Sequence, residues 1–189
     1  RSNGFYFSEV TSKIKKNENN TVDLIFHINL GERAHIKKIS FIGDKKIKDR
    51  KLKSVIISEE SKFWKFISSK KYLDVNRIQL DERLLFNYYK NNGFYNVSIE
   101  SSSAKIINEK DFELIFNINA GEKFYFGNFD LKIPNNYSIK SFQNIIDVQN
   151  KLKGDVYSYR KIEEILDEID DIALKKEFEF INAKYSETI

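Results

Sequence analysis

Three groups of side chains in this 189-residue sequence could do chemistry. Glu163, Glu164, Asp167, Glu168, Asp170 and Asp171 crowd carboxylates together, the raw material of a divalent-cation site or an acid–base pair. Ile162, Ile165, Leu166, Ile169 and Ile172 interleave with them at helical spacing, however, so the acids read as the solvated face of an amphipathic helix. The only histidines, His27 and His35, have no Ser or carboxylate at triad spacing and are too few for a multi-histidine metal site. Phe41-Ile42-Gly43-Asp44-Lys45-Lys46 places glycine and lysine after a strand. A phosphate loop needs a second glycine and a Lys-Ser/Thr pair, so this segment is a turn. Cysteine is absent, which removes disulfides, thiolate metal sites and thiol nucleophiles. The expectation is of no enzyme: no catalytic residue, no metal site and no cofactor.

Charge says little more. Lys+Arg 32 against Asp+Glu 28 leaves a net +4, and lysine outnumbers arginine 26 to 6. A nucleic-acid surface usually clusters Arg with stacking aromatics. Here the densest basic stretch, Lys45 to Lys53, is broken by Asp49 and reads as a solvated helix face, so no nucleic-acid partner is expected. The chain is 41% apolar and 14% aromatic, enough for packed cores. No apolar run reaches the roughly 18 residues of a spanning helix. The start at Arg1, without a secretory pattern, reads as a piece of something longer.

The elements that position these residues are organised by an internal repeat. Asn3-Gly4-Phe5-Tyr6 recurs as Asn92-Gly93-Phe94-Tyr95, and Leu24-Ile25-Phe26-His27-Ile28-Asn29-Leu30-Gly31-Glu32 as Leu114-Ile115-Phe116-Asn117-Ile118-Asn119-Ala120-Gly121-Glu122. The offsets are 89 and 90 residues, so the unit is about 90 residues long. Within it, Val22, Leu24, Phe26, Ile28 and Leu30 alternate with mostly polar neighbours and predict a strand with one buried face, as do Phe112, Leu114, Phe116 and Ile118. A strand precedes the latter, with Tyr95, Val97 and Ile99 inward. Each Gly-Glu is followed by another, carrying Ile39 and Phe41 in one copy, Phe129 and Leu131 in the next.

Between Gly43 and Asn92 the period changes. Leu52, Val55 and Ile56 predict a short helix. Asp74 is the expected N-cap of a second, carrying Ile78, Leu85, Tyr88 and Tyr89 and stopping at Asn91-Asn92-Gly93. Ile139, Phe142, Ile145 and Ile146, then a helix capped by Ser158, repeat the pair. The expected fold class is α+β: tandem β-α-α-β-β modules, each a three-stranded mixed sheet with two helices on one face. The expected domains are 1–33, the last strands of one module; 34–121, a complete module; and 122–189, a module lacking its last strand. Tight Gly-Glu junctions predict repeats that touch only their neighbours.

That order, with the helix-end signature Tyr88-Tyr89-Lys90-Asn91-Asn92-Gly93-Phe94 and the junction Gly31-Glu32-Arg33 through Ile39-Ser40-Phe41-Ile42-Gly43-Asp44, resembles the POTRA repeats of BamA-type outer-membrane assembly factors. The long inter-helix segment Glu59 to Tyr72, with Phe63-Trp64-Lys65-Phe66, is similar to the third such module. The likeness covers the end of a second module, a whole third and most of a fourth. Ile133-Pro134-Asn135-Asn136 and Glu177 depart from the pattern in the last. The resemblance implies a periplasmic part of an outer-membrane protein of a Gram-negative bacterium. It implies unfolded outer-membrane β-barrel proteins and accessory assembly lipoproteins as partners, and contact with the membrane only through a C-terminal barrel absent from these residues. A two-partner-secretion or related translocation protein, and a nucleic-acid-binding repeat protein, are the alternatives.

A small open sheet leaves edges, and an edge can accept an extended peptide by strand addition. The strand Phe94 to Ala104 is the expected acceptor, with Phe94, Asn96, Ser98, Glu100, Ser101, Ser102 and Ser103 at the site and Asn96, Ser98, Glu100 and Ser102 pointing outward. Phe63, Trp64 and Phe66 have two readings: a plug for the module's core, or an exposed patch that receives a partner.

Overall fold

The computed structural model describes residues 4–64, 67–135, 137–178 and 182–188. In chain order these form β1 (Glu9–Lys16), β2 (Val22–Asn29), β3 (His35–Asp44), α1 (Asp49–Val55), α2 (Val75–Lys90), β4 (Ser98–Ile106), β5 (Asp111–Asn119), α3 (Gln143–Leu152) and α4 (Tyr159–Lys175). Contacts divide the chain into two compact units, Arg1–Phe86 with Ser98–Asn119, and Asn87–Val97 with Ala120–Ile189. No helix among the described residues is long and apolar enough to cross a membrane.

In the first unit β3, β5 and β4 make one mixed sheet in that order, β5 running parallel to β3 and antiparallel to β4. The central strand has the clearest alternation in the sequence, and Phe112, Leu114, Phe116 and Ile118 are all buried. Ile36, Ile39 and Phe41 of β3 lie opposite Phe112, Leu114 and Phe116, and Phe41 stacks on Phe116 with ring centroids 5.6 Å apart. Leu52 of α1 and Leu85 of α2 complete this core. Asp74 caps α2 as expected, its Oδ1 accepting the Arg77 N–H at 2.9 Å. In the basic stretch that runs into α1, Lys45 pairs with Asp49 and Lys53 with Glu60.

The hairpin β1–β2 departs from expectation. Val10, Ile14, Val22, Leu24, Phe26 and Ile28 share one face, but that face is open. Leu24 and Phe26 are 56% and 58% exposed, whereas their repeat equivalents Leu114 and Phe116 are at 0%. Helices α1 and α2 cover the equivalent face of the β3–β5–β4 sheet; no helix among the described residues covers it here. The chain then enters β3 through a polar joint. The Ala34 N–H donates to the Gly4 carbonyl at 2.7 Å, and Arg33 lies over the rings of Phe5 and Tyr72.

In the second unit α3 and α4 pack through Phe142, Ile145, Ile165 and Ile169, while Phe126, Tyr157 and Ile162 form a neighbouring cluster. The expected strand through Phe129 and Leu131 is not formed; instead Phe124–Phe126 meets the loop between α3 and α4, with an isolated bridge from Tyr125 to Val156 and the Phe126 N–H donating to the Asp155 carbonyl at 2.9 Å. In the first unit β3 is held by the central strand β5. Among the described residues no strand plays that part here, so Phe129 and Leu131 are held by side-chain packing alone. The entry joint repeats the first one: the Phe124 N–H donates to the Gly93 carbonyl at 2.8 Å. Ser158 occupies the N-cap position of α4, but its side chain caps nothing; Asn91 Oδ1 accepts the Arg160 N–H at 2.8 Å instead. Glu177, where a helix-end glycine was expected, adopts a left-handed φ of 53° and still closes α4, the Phe178 N–H reaching the Ala173 carbonyl.

Candidate strand-accepting edge

The sheet has two outer strands, and the chain treats them differently. Beyond β4 no further strand lies among the described residues. β4 pairs with β5 from Ser98 opposite Asn119 to Ile106 opposite Phe112, with a bulge between Ile99 and Ser101. A bulge adds one residue to a strand and reverses the facing of everything after it. Ile99 and Ser102 therefore face the helices, and Ser102 Oγ donates to Glu82 of α2 at 2.5 Å. Ser98, Glu100, Ser101 and Ser103 are exposed, and Glu100 accepts from Asn117 Nδ2 at 2.7 Å.

Two expectations need correcting here. Ser102 does not point outward, because the bulge shifts the alternation by one residue and sets Ser102 opposite the buried Phe116. Phe94 and Asn96 are not on the strand: the chain is still in the turn after α2, where Phe94 is buried beside Tyr89 and its N–H donates to the Tyr89 carbonyl at 3.1 Å. The strand begins only at Ser98.

The outer side of β3 is filled. Its Ile36 carbonyl accepts the Ser61 N–H at 2.6 Å, its Ile39 N–H donates to the Glu60 carboxylate at 3.0 Å, and its Phe41 carbonyl accepts from Lys45 Nζ at 3.1 Å. The strip Ile57–Ser61 that reaches over this edge is anchored from below by Asp81 of α2. Asp81 is fully buried and accepts the N–H groups of Ile57 at 2.6 Å and Ser58 at 3.3 Å. Burial raises the Asp81 carboxyl above its ordinary value, against the lowering effect of these donors. Burial also pushes the Glu60 carboxyl upward, but the Lys53 ion pair and the Ile39 N–H outweigh it and leave the group below its ordinary value.

From the sequence, Asp81, Glu60 and Glu82 are not singled out, and Lys45 reads only as part of a turn and a solvated basic stretch. One signal was available: Asp81 falls on the stripe of Ile78 and Leu85, three and four residues away, and a carboxylate on an apolar stripe calls for donors.

The aromatic segment lies outside the core. Phe63 and Trp64 are 89% and 58% exposed and meet edge to face at 4.6 Å, with the Lys62 ammonium over the indole. Phe66 lies outside the described residues. The acids of α4 oppose its buried Ile162, Ile165 and Ile169, and Glu164 pairs with Arg160 and Lys161. His27 is exposed on β2, and His35 meets the Tyr72 ring at a tilt of 59°, with ring centroids 5.0 Å apart.

Comparison with known proteins puts a family beside this geometry. Residues 34–121 match the POTRA family model, described as a surface antigen variable number repeat. The outer membrane protein assembly factor BamA of Neorickettsia risticii (strain Illinois) is 25% identical over 118 residues, 62% of this chain and 16% of that protein. BamA of Neisseria meningitidis serogroup B is 25% identical over 120 residues, 63% of this chain and 15% of its own length. BamA of Buchnera aphidicola subsp. Acyrthosiphon pisum is 22% identical over 169 residues, 88% of this chain and 26% of that protein. The chain thus spans at most 26% of the length of these curated relatives. Among solved structures, POTRA3-5 of Haemophilus influenzae BamA covers 90% of this chain, and 63% of its own, with a TM-score of 0.54 at 12% identity, a likeness of fold. Residues 34–121 are a POTRA module, in a chain similar to the POTRA region of BamA-type outer membrane protein assembly factors.

Proposed function

We propose that this chain is a periplasmic, non-catalytic interaction region of an outer membrane protein assembly factor. It takes up extended segments of unfolded β-barrel precursors by strand addition at β4, and the exposed Phe63 and Trp64 offer accessory lipoproteins a separate docking patch. The observation that carries this reading is the open outer side of β4, lined by Ser98, Ser101 and Ser103. Small polar side chains permit close approach of a second backbone. Backbone pairing hardly depends on sequence, which suits a receiver of many different precursors.

The register defines a direct test. In an antiparallel pair, residues alternate between those whose N–H and C=O face the partner and those whose groups face away. Ser102 lies opposite Phe116 and Ser103 opposite Ile115, so the two fall in opposite classes. Proline at one of them removes an outward N–H, and the protein is expected to stay folded and lose strand-peptide binding. Proline at the other breaks the ladder and is expected to lower the melting temperature. Fluorescence polarisation of a labelled peptide, with thermal melts alongside, reads both. Two prolines that bind peptide like the parent protein would refute strand addition at β4.

We also propose residues 34–121 as the unit that folds alone, because they hold a complete three-stranded sheet with its helices, whereas a lone hairpin such as β1–β2 is marginal in water. A fragment of 34–121 is expected to melt cooperatively by circular dichroism, and a featureless melt would move the boundaries.

A further inference from the structure

We propose that Glu60 and Lys45 form a charged clasp that closes the β3 edge to strand addition, and so determines that β4 receives the peptide. The proposal rests on the strand-addition reading above. A parallel-paired outer strand such as β3 would otherwise present the same kind of row of donors and acceptors as β4. Its outward groups include the Ile36 carbonyl, the Ile39 N–H and the Phe41 carbonyl, the last two at alternate positions along the strand.

Side chains occupy two of these three. The Glu60 carboxylate stands where a neighbouring strand would place a carbonyl, accepting the Ile39 N–H at 3.0 Å. The Lys45 ammonium stands where that strand would place an N–H, donating to the Phe41 carbonyl at 3.1 Å. Each is held by α1, which pairs Lys53 with Glu60 and Asp49 with Lys45. The two pairs have opposite sense, one acid and one base contributed by the helix. A further strand closing β3 would itself present a new edge. A carboxylate and an ammonium satisfy the same groups and end the sheet. The strip bearing Glu60 is held in turn by the buried Asp81, through the N–H groups of Ile57 and Ser58.

The test uses the full chain, isotope-labelled, with Glu60→Ala and Lys45→Met made separately so that either can carry the result should the other not fold. The probe is a synthetic peptide of alternating apolar and polar residues. In the parent protein the peptide is expected to shift β4 amides and leave Ile36–Ile42 unmoved. In Glu60→Ala, Ile39 amide exchange is expected to rise at least about tenfold while Phe116 is unchanged, from the loss of one charge-assisted bond. The peptide is then expected to shift β3 amides as well as β4. Lys45→Met is expected to open the edge at Phe41 in the same way. Variants that remain folded with β3 silent towards the peptide overturn the clasp, whether or not Ile39 exchange rises. A parent protein whose β4 amides ignore the peptide, while the variants bind it at β3, overturns the β4 reading and leaves the clasp standing. A peptide that binds neither parent nor variants overturns both.

Discussion

Replacing Gly43 by alanine is expected to destabilise the first unit by on the order of 2–5 kcal/mol, combining about 1–2 for a left-handed backbone with about 1–3 for overpacking. Gly43 lies next to last in the paired part of β3, opposite Ile118, at a φ of 84°. A Cβ built there falls on the Ile118 carbonyl oxygen and lies 2.6 Å from Asn117 Oδ1. The carbonyl belongs to the backbone of the central strand, which cannot retreat without opening the parallel ladder. Gly154 separates the two contributions, because its φ is 86° but no atom stands within 4 Å of an added Cβ. Gly154→Ala is therefore expected to show the backbone strain alone, about 1–2 kcal/mol. Denaturant midpoints of the two variants give the comparison, and equal small losses would contradict the close approach of β3 and β5.

Asp81→Ala is expected to cost a similar amount, on the order of 2–6 kcal/mol, because it strands the buried Ser58 N–H and the partly buried Ile57 N–H at about 1–3 kcal/mol each. Asp81→Asn keeps an acceptor oxygen without the buried charge and is expected to lose much less. The pH dependence follows from the direction of the shift. Burial raises the folded carboxyl above its ordinary 3.8, so in the window between the two values the folded state holds more protons than the unfolded state. Stability from this group rises as pH falls through that window, is fully present below about 3.8 and is lost as pH rises through the folded value. Glu60 runs the other way: its folded value is lowered, so its contribution is present above 4.5 and lost as pH falls through the folded value. Comparing parent and Asp81→Asn across acid pH isolates the first effect, because Glu60 is common to both. The parent is expected to gain on the variant as pH drops. A parent that loses ground would mean that Asp81 is stabilised as an anion.

Much of the fold is legible in the sequence because period and caps are local. The alternation of Phe112, Leu114, Phe116 and Ile118 gives the central strand, Asp74 gives the start of α2, and the Asn92-Gly93 pair gives its end. The repeat predicts the equivalence of the two joints at Gly4 and Gly93. What was not legible depends on partners distant in sequence. Phe26 and Phe116 carry the same pattern but have opposite burial, since burial is decided by whether helices lie over the face and not by the strand. The strand at Phe129 does not form for the same reason, since no central strand among the described residues pairs with it. At the candidate site, the run Ser98 to Ser103 shows an unobstructed strand but not its bulge, because no glycine or proline marks Glu100 or Ser101. Glu60 and Lys45 read as ordinary surface charges until the fold sets them against Ile39 and Phe41.

The central claim, that extended peptides add to β4, is tested most directly by titrating a strand-forming peptide into the isotope-labelled full chain and mapping amide shifts and intermolecular cross-peaks. The account predicts cross-peaks between peptide amides and Ser98–Ile106, strongest on one alternating set of residues, with Ile36–Ile42 of β3 silent. Cross-peaks confined to Phe63 and Trp64, to the open face of β1–β2 or to the second unit would contradict it.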